Sequence, residues 1–572
     1  MNLLDYLVML GALFGVAAWG VWRTRDRRGL RGYLHGDGTA RWFVIGLSVI
    51  ATQASATTFL SIPGQGYQDG LGFVQNYFGG PLAMIVVAAV FLPLFRRLKV
   101  LTAYEYLGQR FDAKTRLLGA GIFLIQRGLG AALTIYAPAI VLSSVFGWPL
   151  GLTIVGAGLV CVGYTVVGGS DAVRLTQQWQ LGIIFVAMVV AFFLLLARLP
   201  AGLGPGGAFA LAGGFHKLDA VSFSTDVHAR YTFWSGTIGG FFLALAYFGT
   251  DQSQVQRYIG GASLRESRLG LMFHGMAKIP MQFGILLLGV LLFVFYQFQP
   301  PPLLFARPSR ELVAAHTEPE KLHAVEAAYA AAAGEQTRQL QGWLAARSAG
   351  DLPGAQVALV AAQTAHARAD AARRDAAQLL KEAHPPAQAS EADYVFITFI
   401  LDQLPHGLIG LLVAAFFAAA LNSKAAELNA LASTTTVDFY GHLFGHDLGE
   451  AHQVAASKWF TAFWGGVAIL AALGANLVEN IVQAANIIGS LFYGAVLGLF
   501  LLAFFTKRVG GTAAFWAALT AQALVLLLYH YLDIAYLWFN LIGPALCVGL
   551  ALLFQALFNL MGNHRRAVPV SS

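Results

Sequence analysis

Long apolar runs separated by short polar connections dominate the chain. Thirteen of these runs have about 20 mostly apolar residues, the length that a helix needs to cross a bilayer. None shows the regular apolar–polar alternation of membrane barrel strands. The runs lie near residues 3–22, 42–62, 77–97, 116–145, 150–168, 179–198, 233–250, 270–297, 405–440, 457–475, 479–505, 512–530 and 535–560. The pattern predicts an all-α integral membrane protein with about 13 transmembrane helices.

The composition supports this prediction. Of the 572 residues, 57% are hydrophobic and only 11% are charged, whereas about a quarter of the residues in a soluble domain are charged. The length excludes a small channel subunit or a single-span receptor. The two cysteines, Cys161 and Cys547, both lie in apolar runs, which excludes a disulfide framework or a cysteine metal cluster.

The positions of the basic residues predict how the chain crosses the membrane. The first run has no basic residue before it and several arginines after it, so we interpret it as a retained helix and not as a signal peptide. With the N-terminus outside, 21 of the 36 Lys and Arg residues lie in inner loops and 3 lie in short outer loops, which satisfies the positive-inside rule. We expect a multi-pass protein of the cell (inner) membrane with a cytoplasmic C-terminus. The net charge of +7 then reflects topology and does not indicate a nucleic-acid partner.

One long polar segment, 299–395, interrupts the series of apolar runs. It begins with three consecutive prolines, and its middle is rich in Ala, Gln, Arg and Glu. Helix propensity predicts a helix from Ala355 to Ala383. Long loops translocate regardless of their charge, so we expect an outward-facing helical insert that serves as a solvated extension without chemistry.

Three basic residues lie inside apolar runs, where each charge marks a candidate functional site. Arg127 is deep in the fourth run; its guanidinium suits either bidentate capture of a substrate carboxylate or a structural pair. Lys278 is nearer the predicted inner surface, and both roles stay open for it. Lys424 precedes Glu427 by three residues, a spacing that places both on one helix face and favours a structural ion pair.

Two runs carry unusually many polar and glycine residues. The second reads IGLSVIATQASATTFLSIPGQGY and the seventh reads SGTIGGFFLALAYFGTDQSQVQR. Interrupted helices at matching positions of two halves indicate the binding site of a secondary transporter, because non-helical backbone at membrane depth needs a cavity or protein around it. Runs two to six and seven to eleven form two such halves. Packing of helices through small residues is the alternative explanation.

The chain resembles the sodium/solute symporter family, which includes sodium–glucose, proline, iodide, monocarboxylate and sialic-acid transporters. The resembling stretches are IATQASATTFLSIPGQGY, LTAYEYLGQRF, YFGTDQSQVQR and AAALNSKAAELNALASTTTVDFY, within roughly residues 1–300 and 396–560. The resemblance implies a leucine-transporter-type 5+5 inverted repeat with broken first helices. The implied division is 1–40 (additional N-terminal helix and inner basic loop), 41–200 (first repeat), 230–298 (start of the second repeat), 299–395 (insert), 396–508 (rest of the second repeat) and 509–572 (two C-terminal helices and a cytoplasmic tail).

The resemblance also implies a sodium ion between the broken second helix and the ninth helix. Carried over by motif, Ala51 and Ala54 provide backbone carbonyls, Ala419 provides a carbonyl, and Ser423 provides a hydroxyl. The family usually has two consecutive hydroxyls here, and this chain has Asn422 before Ser423. An amide oxygen can replace a hydroxyl as a ligand, so Asn422 completes the expected sodium site.

A second sodium site of some family members is not expected. Those members have an aspartate in a motif like GGxxAVxxTDxxQ, and this chain reads GGSDAVRLTQQWQ with Gln177 at that position. Ala425 and Ala426 replace the additional hydroxyls on the ninth helix. We therefore predict one coupled sodium, although Asp171 lies one turn away from Gln177.

The resemblance implies a substrate cavity between the broken second helix, the fourth helix and the eleventh helix. Arg127 matches the arginine with which sialic-acid transporters bind a carboxylate, and Tyr247 matches the inner-gate tyrosine of sugar transporters. Ala244 replaces a sugar-binding asparagine. These matches favour a small organic anion, such as a monocarboxylate or a sugar acid, over a neutral hexose. The expected substrate-binding residues are Gln53, Ser55, Thr58, Arg127 and Gln483.

Three other functions are alternatives to sodium-coupled symport. A membrane redox enzyme needs paired histidines, and only His274, His406 and His530 lie in or beside the runs. A metal-dependent enzyme could use His442, His446, His452 and Asp447 of one inner loop, but a solvated loop is the simpler interpretation. The remaining alternative is a sodium-independent or proton-coupled transporter of a neutral sugar or amino acid, in which Lys424 acts as a resident cation.

Overall fold

The computed structural model describes residues 1–24, 41–98, 100–383, 391–444, 449–474 and 480–566. The described part of the chain is helical, without a β-strand. The helices up to the insert are α1 (Leu3–Thr24), α2 (Trp42–Gln53), α3 (Ala56–Asp69), α4 (Gly80–Val86), α5 (Leu92–Leu98), α6 (Ala103–Arg110), α7 (Ala113–Phe146), α8 (Leu150–Ala197), α9 (Pro205–Gly214), α10 (Gly240–Gly249), α11 (Gln252–Ile259) and α12 (Leu264–Phe298). Those that follow are α13 (Arg307–His316), α14 (Pro319–Ser348), α15 (Leu352–Ala383), α16 (Ala392–Gln403), α17 (Leu408–Thr434), α18 (Gly441–Phe444), α19 (Glu450–Leu473), α20 (Ile481–Phe505), α21 (Gly511–Tyr531) and α22 (Phe539–Arg566).

Nine helices of the described residues are long and apolar enough to span a membrane. Four shorter apolar helices complete the series of predicted runs. They are Leu3–Ala12, Trp42–Gln53, Leu150–Val166 and Ser235–Gly249. The prediction of an all-α membrane protein is confirmed.

The second and seventh predicted runs are both broken helices. The first break lies between α2 and α3, where Ala54 and Ser55 have ψ angles of 69° and 175°, far from helical values. The second lies between α10 and α11, where the Asp251 side chain accepts the N–H of Ser253 at 2.8 Å and caps α11. Breaks at the start of both halves agree with the expected leucine-transporter-type architecture.

One predicted loop is absent. The fifth and sixth runs, expected to be separate between 168 and 179, lie on the single helix α8 (Leu150–Ala197). The segment between the two runs contains no proline, so nothing in its sequence forces the helix to end.

Helix α17 is the centre of the bundle. It packs against α1, α2, α3, α7, α8, α11 and α19. Helix α12 packs along both halves of the first broken helix, α2 and α3. The packing places the break of α2 and α3 beside α17, which positions the site described below.

The insert is helical, as its composition predicts. Helices α14 and α15 pack together as a hairpin around Gly350, whose φ of 77° suits a residue without a Cβ. The hairpin is anchored to the rest of the protein by two side-chain hydrogen bonds. Gln336 Nε2 donates to Gln297 Oε1 of α12 at 2.6 Å, and Gln363 Nε2 donates to the carbonyl of Gly214 in α9 at 2.7 Å.

Candidate substrate and ion site

A cavity of about 190 Å³ lies where the two broken helices meet α7, α12, α17 and α20. The structure brings five residues expected at the substrate site and its gate into the wall of this cavity, together with Ser423 from the expected sodium site. The five are Gln53, Ser55, Thr58, Arg127 and Tyr247. The cavity is therefore the candidate substrate site.

The break between α2 and α3 supplies oxygen atoms next to α17. The Ser423 hydroxyl donates to the carbonyl of Thr52 at 3.2 Å, so α17 contacts the break directly. The Thr58 hydroxyl donates to the carbonyl of Gln53 at 3.1 Å. Among the described residues, the carbonyls of Ala51 and Ala54 accept no hydrogen bond. Free carbonyls beside a hydroxyl suit a hard monovalent cation, so the residues present fit sodium.

Two other expected ion-site residues, Ala419 and Asn422, lie on α17. Ala419 is buried. The side chain of Asn422 lies outside the described residues, as do those of Asp171 and Gln177.

Arg127 is at the centre of a buried network of charges. Its side chain is only 7% exposed. Its Nη2 donates to Asp251 Oδ2 and, at 3.1 Å, to the Tyr493 hydroxyl; its Nη1 lies 3.2 Å from Glu427 Oε1. The guanidinium carbon is 5.4 Å from the centre of the Tyr247 ring. Arg127 thus faces the cavity but already has two carboxylate partners, and removing either one would leave a buried charge less well compensated.

Glu427 connects Arg127 to Lys424. Glu427 Oε2 accepts the Thr134 hydroxyl at 2.7 Å and lies 3.7 Å from Lys424 Nζ, the ion pair that the three-residue spacing predicts. The Lys424 ammonium also donates to the carbonyl of Ala131 on α7. The two consecutive residues of α17 therefore differ in their contacts, because Ser423 contacts the break and Lys424 contacts α7.

Lys278 is the second cation in the cavity wall. It is 6% exposed, and its ammonium lies 5.2 Å from the centre of the Tyr77 ring. Among the described residues, it has no carboxylate within ion-pair distance. Several buried polar atoms of the wall also lack a hydrogen-bond partner in the described part of the chain: Gln53 Oε1, Thr57 Oγ1, Asn76 Oδ1, Gln126 Oε1, His274 Nδ1 and Gln282 Oε1. The cavity thus presents to a ligand one lysine without a carboxylate partner among the described residues, together with unused hydrogen-bonding groups.

The sequence model of the Sodium:solute symporter family matches residues 33–321 and 375–521, most of the chain. The chain belongs to the sodium:solute symporter family. This symporter is therefore a multi-pass membrane transporter and not an enzyme, and sodium is the ion to which its family couples transport.

Individual relatives agree with this assignment. The symporter is 31% identical to the human sodium/iodide cotransporter over 301 residues, which cover 52% of this chain and 46% of the relative. It is 26% identical to the human sodium-coupled monocarboxylate transporter 2 over 541 residues, which cover 90% of this chain and 72% of the relative. The chain thus spans about half the length of the first of these relatives.

A solved Na⁺-coupled sialic acid symporter, bound to substrate in an outward-open state, has the same fold. Its TM-score with this symporter is 0.74 at 24% sequence identity, covering 97% of this chain and 98% of that one. The similarity extends over the whole arrangement of helices.

Gln483 is not brought into the cavity wall. Its side chain donates to the Tyr231 hydroxyl at 2.8 Å, and the wall of the symporter cavity is formed in this part of α20 by Ile481, Val482, Ala485 and Asn486. The first turn of α20 explains this placement. Asn480 caps the helix by accepting the N–H of Gln483 at 2.9 Å.

Sequence reasoning missed three partners in the site of this symporter: Asp251, Tyr493 and the contact of Glu427 with Arg127. Only the basic residues within the apolar runs were taken as signs of a site. Asp251 lies in the quoted stretch YFGTDQSQVQR, and applying the same search to acidic residues would have found it. Tyr493 gives no such signal, because a tyrosine in an apolar helix is common.

The other histidines do not form a shared site among the described residues. His274 lines the cavity, and His406 Nδ1 lies 2.8 Å from Asp5 Oδ2 at another place in the bundle. Within the described part of the symporter, no group of three or more His, Cys, Asp and Glu side chains could hold a metal ion. His446 and Asp447 lie outside the described residues.

Proposed function

We propose that the protein imports a small organic anion, a monocarboxylate or a sugar acid, together with one sodium ion by alternating access. The observation that carries this proposal is the cation content of the cavity. Arg127 and Lys278 both line it, and Lys278 has no carboxylate partner among the described residues. An anion bound beside Lys278 would supply the counter-ion that keeps this buried lysine protonated. The relatives named for iodide and for monocarboxylates also transport anions.

Sodium would lie between the break and α17. The proposed ligands are the carbonyls of Ala51, Ala54 and Ala419 and the side chains of Asn422 and Ser423. One sodium is proposed, because Gln177, Ala425 and Ala426 replace the ligands that a second ion would need.

The substrate carboxylate would compete with Glu427 for Arg127. Glu427 Oε1 is 3.2 Å from the guanidinium, while Oε2 is 3.7 Å from Lys424. If a substrate carboxylate takes the place of Glu427 at Arg127, Glu427 still has Lys424 as a partner. No buried charge is then left without a counter-ion. Asp251 remains on Arg127 throughout this exchange, and Lys278 binds the anion from the α12 side. Gln53, Ser55 and Thr58 would hydrogen-bond the rest of the substrate, and Tyr247 would form the inner gate.

Coupling follows from the positions of Ser423 and Glu427 one turn apart on α17. Sodium binding fixes Ser423 against the break, and the substrate acts on Glu427 of the same helix. Sodium must raise the affinity for the substrate by the same factor as the substrate raises the affinity for sodium. The membrane potential adds about 2.3 kcal/mol per 100 mV for one sodium ion.

The proposed topology places the N-terminus and the insert outside and the C-terminus in the cytoplasm of a cell membrane. The distribution of basic residues supports this orientation. The proposed repeats, 41–200 for the first and 230–298 with 396–508 for the second, agree with the positions of the two breaks. The cytoplasmic gate would then lie on the Tyr247 side of the cavity.

One observation favours a second function, sodium-independent or proton-coupled transport of a neutral sugar or amino acid. Lys424 is fully buried next to Ser423, so its ammonium could take the place of a bound cation near the ion site. In that case sodium would change neither binding nor transport of the solute.

The test measures thermal stabilisation of the purified protein by L-lactate, N-acetylneuraminate and galactose, in sodium and in potassium buffers. The proposal expects one anion to stabilise the protein more in sodium than in potassium. Lys278→Gln and Arg127→Lys should weaken this effect, and Ser423→Ala should remove its dependence on sodium. Stabilisation by galactose alone, equal in both buffers and unchanged in Lys278→Gln, would support the second function instead.

A further inference from the structure

A second cavity, of about 380 Å³, lies where the insert meets the body of the transporter. We call it the insert cavity. The body contributes Tyr67 and Gln68 at the end of α3, Lys217 after α9 and Phe293 of α12. Helix α15 contributes the wall opposite, with His366, Asp370, Arg373 and Arg374. The family match stops at 321 and resumes at 375, so this wall lies outside it.

Two cations of the insert cavity are held in place by neutral groups. The Lys217 ammonium lies 4.5 Å from the centre of the Phe293 ring and donates to the carbonyl of Gln68. The Arg373 guanidinium lies 4.5 Å from the centre of the Phe305 ring. Aromatic faces stabilise both cations without neutralising them. Among the described residues, neither cation has a carboxylate within ion-pair distance, although Asp370 attracts both cations and Glu391 attracts Arg373 from farther away.

The two carboxylates of the insert cavity have other partners. Asp370 Oδ2 lies 3.3 Å from His366 Nε2. Glu391 Oε2 accepts the backbone N–H groups of Phe305 and Ala306. The other oxygen of this carboxylate, Oε1, is buried without a hydrogen-bond partner in the described residues. The insert cavity therefore offers two fixed cations to an anion and one unused acceptor to a hydroxyl group.

We infer that the insert cavity is a second binding site, for a small carboxylate that carries a hydroxyl group. The carboxylate lies between Lys217 and Arg373, and the hydroxyl donates to Glu391 Oε1. The site shares the carboxylate class with the proposed substrate but does not depend on sodium, because it has no contact with the break between α2 and α3.

The backbone of Lys217 links the insert cavity to the transport machinery. Its carbonyl accepts the N–H of Leu71 at 2.9 Å, directly after α3. Gly70 ends α3 with a φ of 70°, and a Cβ there would lie 2.4 Å from the same carbonyl. A ligand that fixes Lys217 therefore also fixes the far end of α3, whose near end carries Thr58 of the substrate cavity. Occupancy of the insert cavity stabilises one position of this half-helix.

The experiment measures binding of L-lactate and propionate to the purified full-length protein in potassium buffer without sodium. Propionate is L-lactate without the hydroxyl, so it tests the contact with Glu391. L-Lactate should bind more tightly than propionate and chloride. Lys217→Gln and Arg373→Gln should each raise its Kd by about tenfold, the loss of one charge-assisted hydrogen bond.

The controls separate this site from the substrate cavity. Arg368→Gln changes an exposed residue of α15 that does not line the insert cavity, and it should leave the Kd unchanged. Lys217→Arg keeps the positive charge and should retain binding, which distinguishes the loss of the charge in Lys217→Gln from a disturbance of folding. Equal Kd values in Arg373→Gln and Arg368→Gln, or no sodium-free binding at all, would overturn the inference. Sodium-dependent uptake that persists in Arg373→Gln would leave the proposed function intact in either case.

Discussion

At the scale of single residues, the proposed exchange requires Glu427 to limit how much of Arg127 is available to a substrate carboxylate. It lies 3.2 Å from Arg127 and 3.7 Å from Lys424, one turn from Ser423, a proposed sodium ligand. We predict that Glu427→Gln lowers the KM for the transported anion by about tenfold, or 1.4 kcal/mol, because the competing charge is gone. Lys424→Gln should raise the KM, because the displaced Glu427 then has no second cation. Initial rates of sodium-driven uptake into proteoliposomes measure both effects.

The opposite signs of these two effects distinguish an exchange from a structural ion pair. If Glu427 and Lys424 only hold α17 together, both variants will lose activity and thermal stability in the same direction. The double variant Lys424→Gln/Glu427→Gln provides the control. Under the exchange it should behave like Glu427→Gln, since Lys424 acts only through Glu427.

At the scale of helices, α3 and α12 approach each other closely through two glycines. A Cβ on Gly289 would lie 2.1 Å from the carbonyl of Pro63, and one on Gly66 would lie 2.4 Å from the carbonyl of Leu286. We predict that Gly289→Ala destabilises the protein by about 1–3 kcal/mol, the usual cost of overpacking. Gly284→Ala on the same helix is the matched control, because a Cβ there has nothing within 4 Å. A fall in Tm for Gly284→Ala as large as that for Gly289→Ala would contradict the prediction.

A buried carboxyl at the start of α16 makes the packing of helices sensitive to pH. Asp393 is 1% exposed, and burial raises its pKa from 3.8 to about 7, although the Ser61 side chain and the Ile481 N–H partly oppose the shift. The folded state thus binds a proton that the unfolded state has released, so this contribution to stability falls as the pH rises from about 4 to about 7. We predict that Asp393→Asn flattens the fall in Tm over this range. The control is Asp219→Asn, whose side chain is 68% exposed; an equal flattening there would contradict the prediction.

At the scale of the whole molecule, the features that depend on local sequence could be predicted: the membrane helices from the apolar runs, the helix breaks and the helical insert. The broken helices at Ala54–Ser55 and Thr250–Asp251 follow from polar residues within apolar runs, and the insert helix follows from propensity. The partners of Arg127 could not be predicted in this way, because Asp251 and Glu427 lie on helices that only tertiary packing brings to α7. For the same reason the sequence does not distinguish Arg127, which has carboxylate partners, from Lys278, which has none among the described residues. The continuous helix α8 was not predicted, because the polar stretch around Arg174 between the fifth and sixth runs has the composition of an inner loop.

The orientation of the molecule is the last prediction, and the two native cysteines make it easy to test. Cys161 and Cys547 are both buried, so the unmodified protein should not react with a membrane-impermeant maleimide. Ala345 of the insert and Lys507 after α20 are both exposed. In intact cells, Ala345→Cys should be labelled and Lys507→Cys should not, because the excess of basic residues places Lys507 in the cytoplasm. Permeabilised cells should show labelling of both variants. Labelling of Lys507→Cys alone in intact cells would invert the topology, and the insert cavity would then face the cytoplasm.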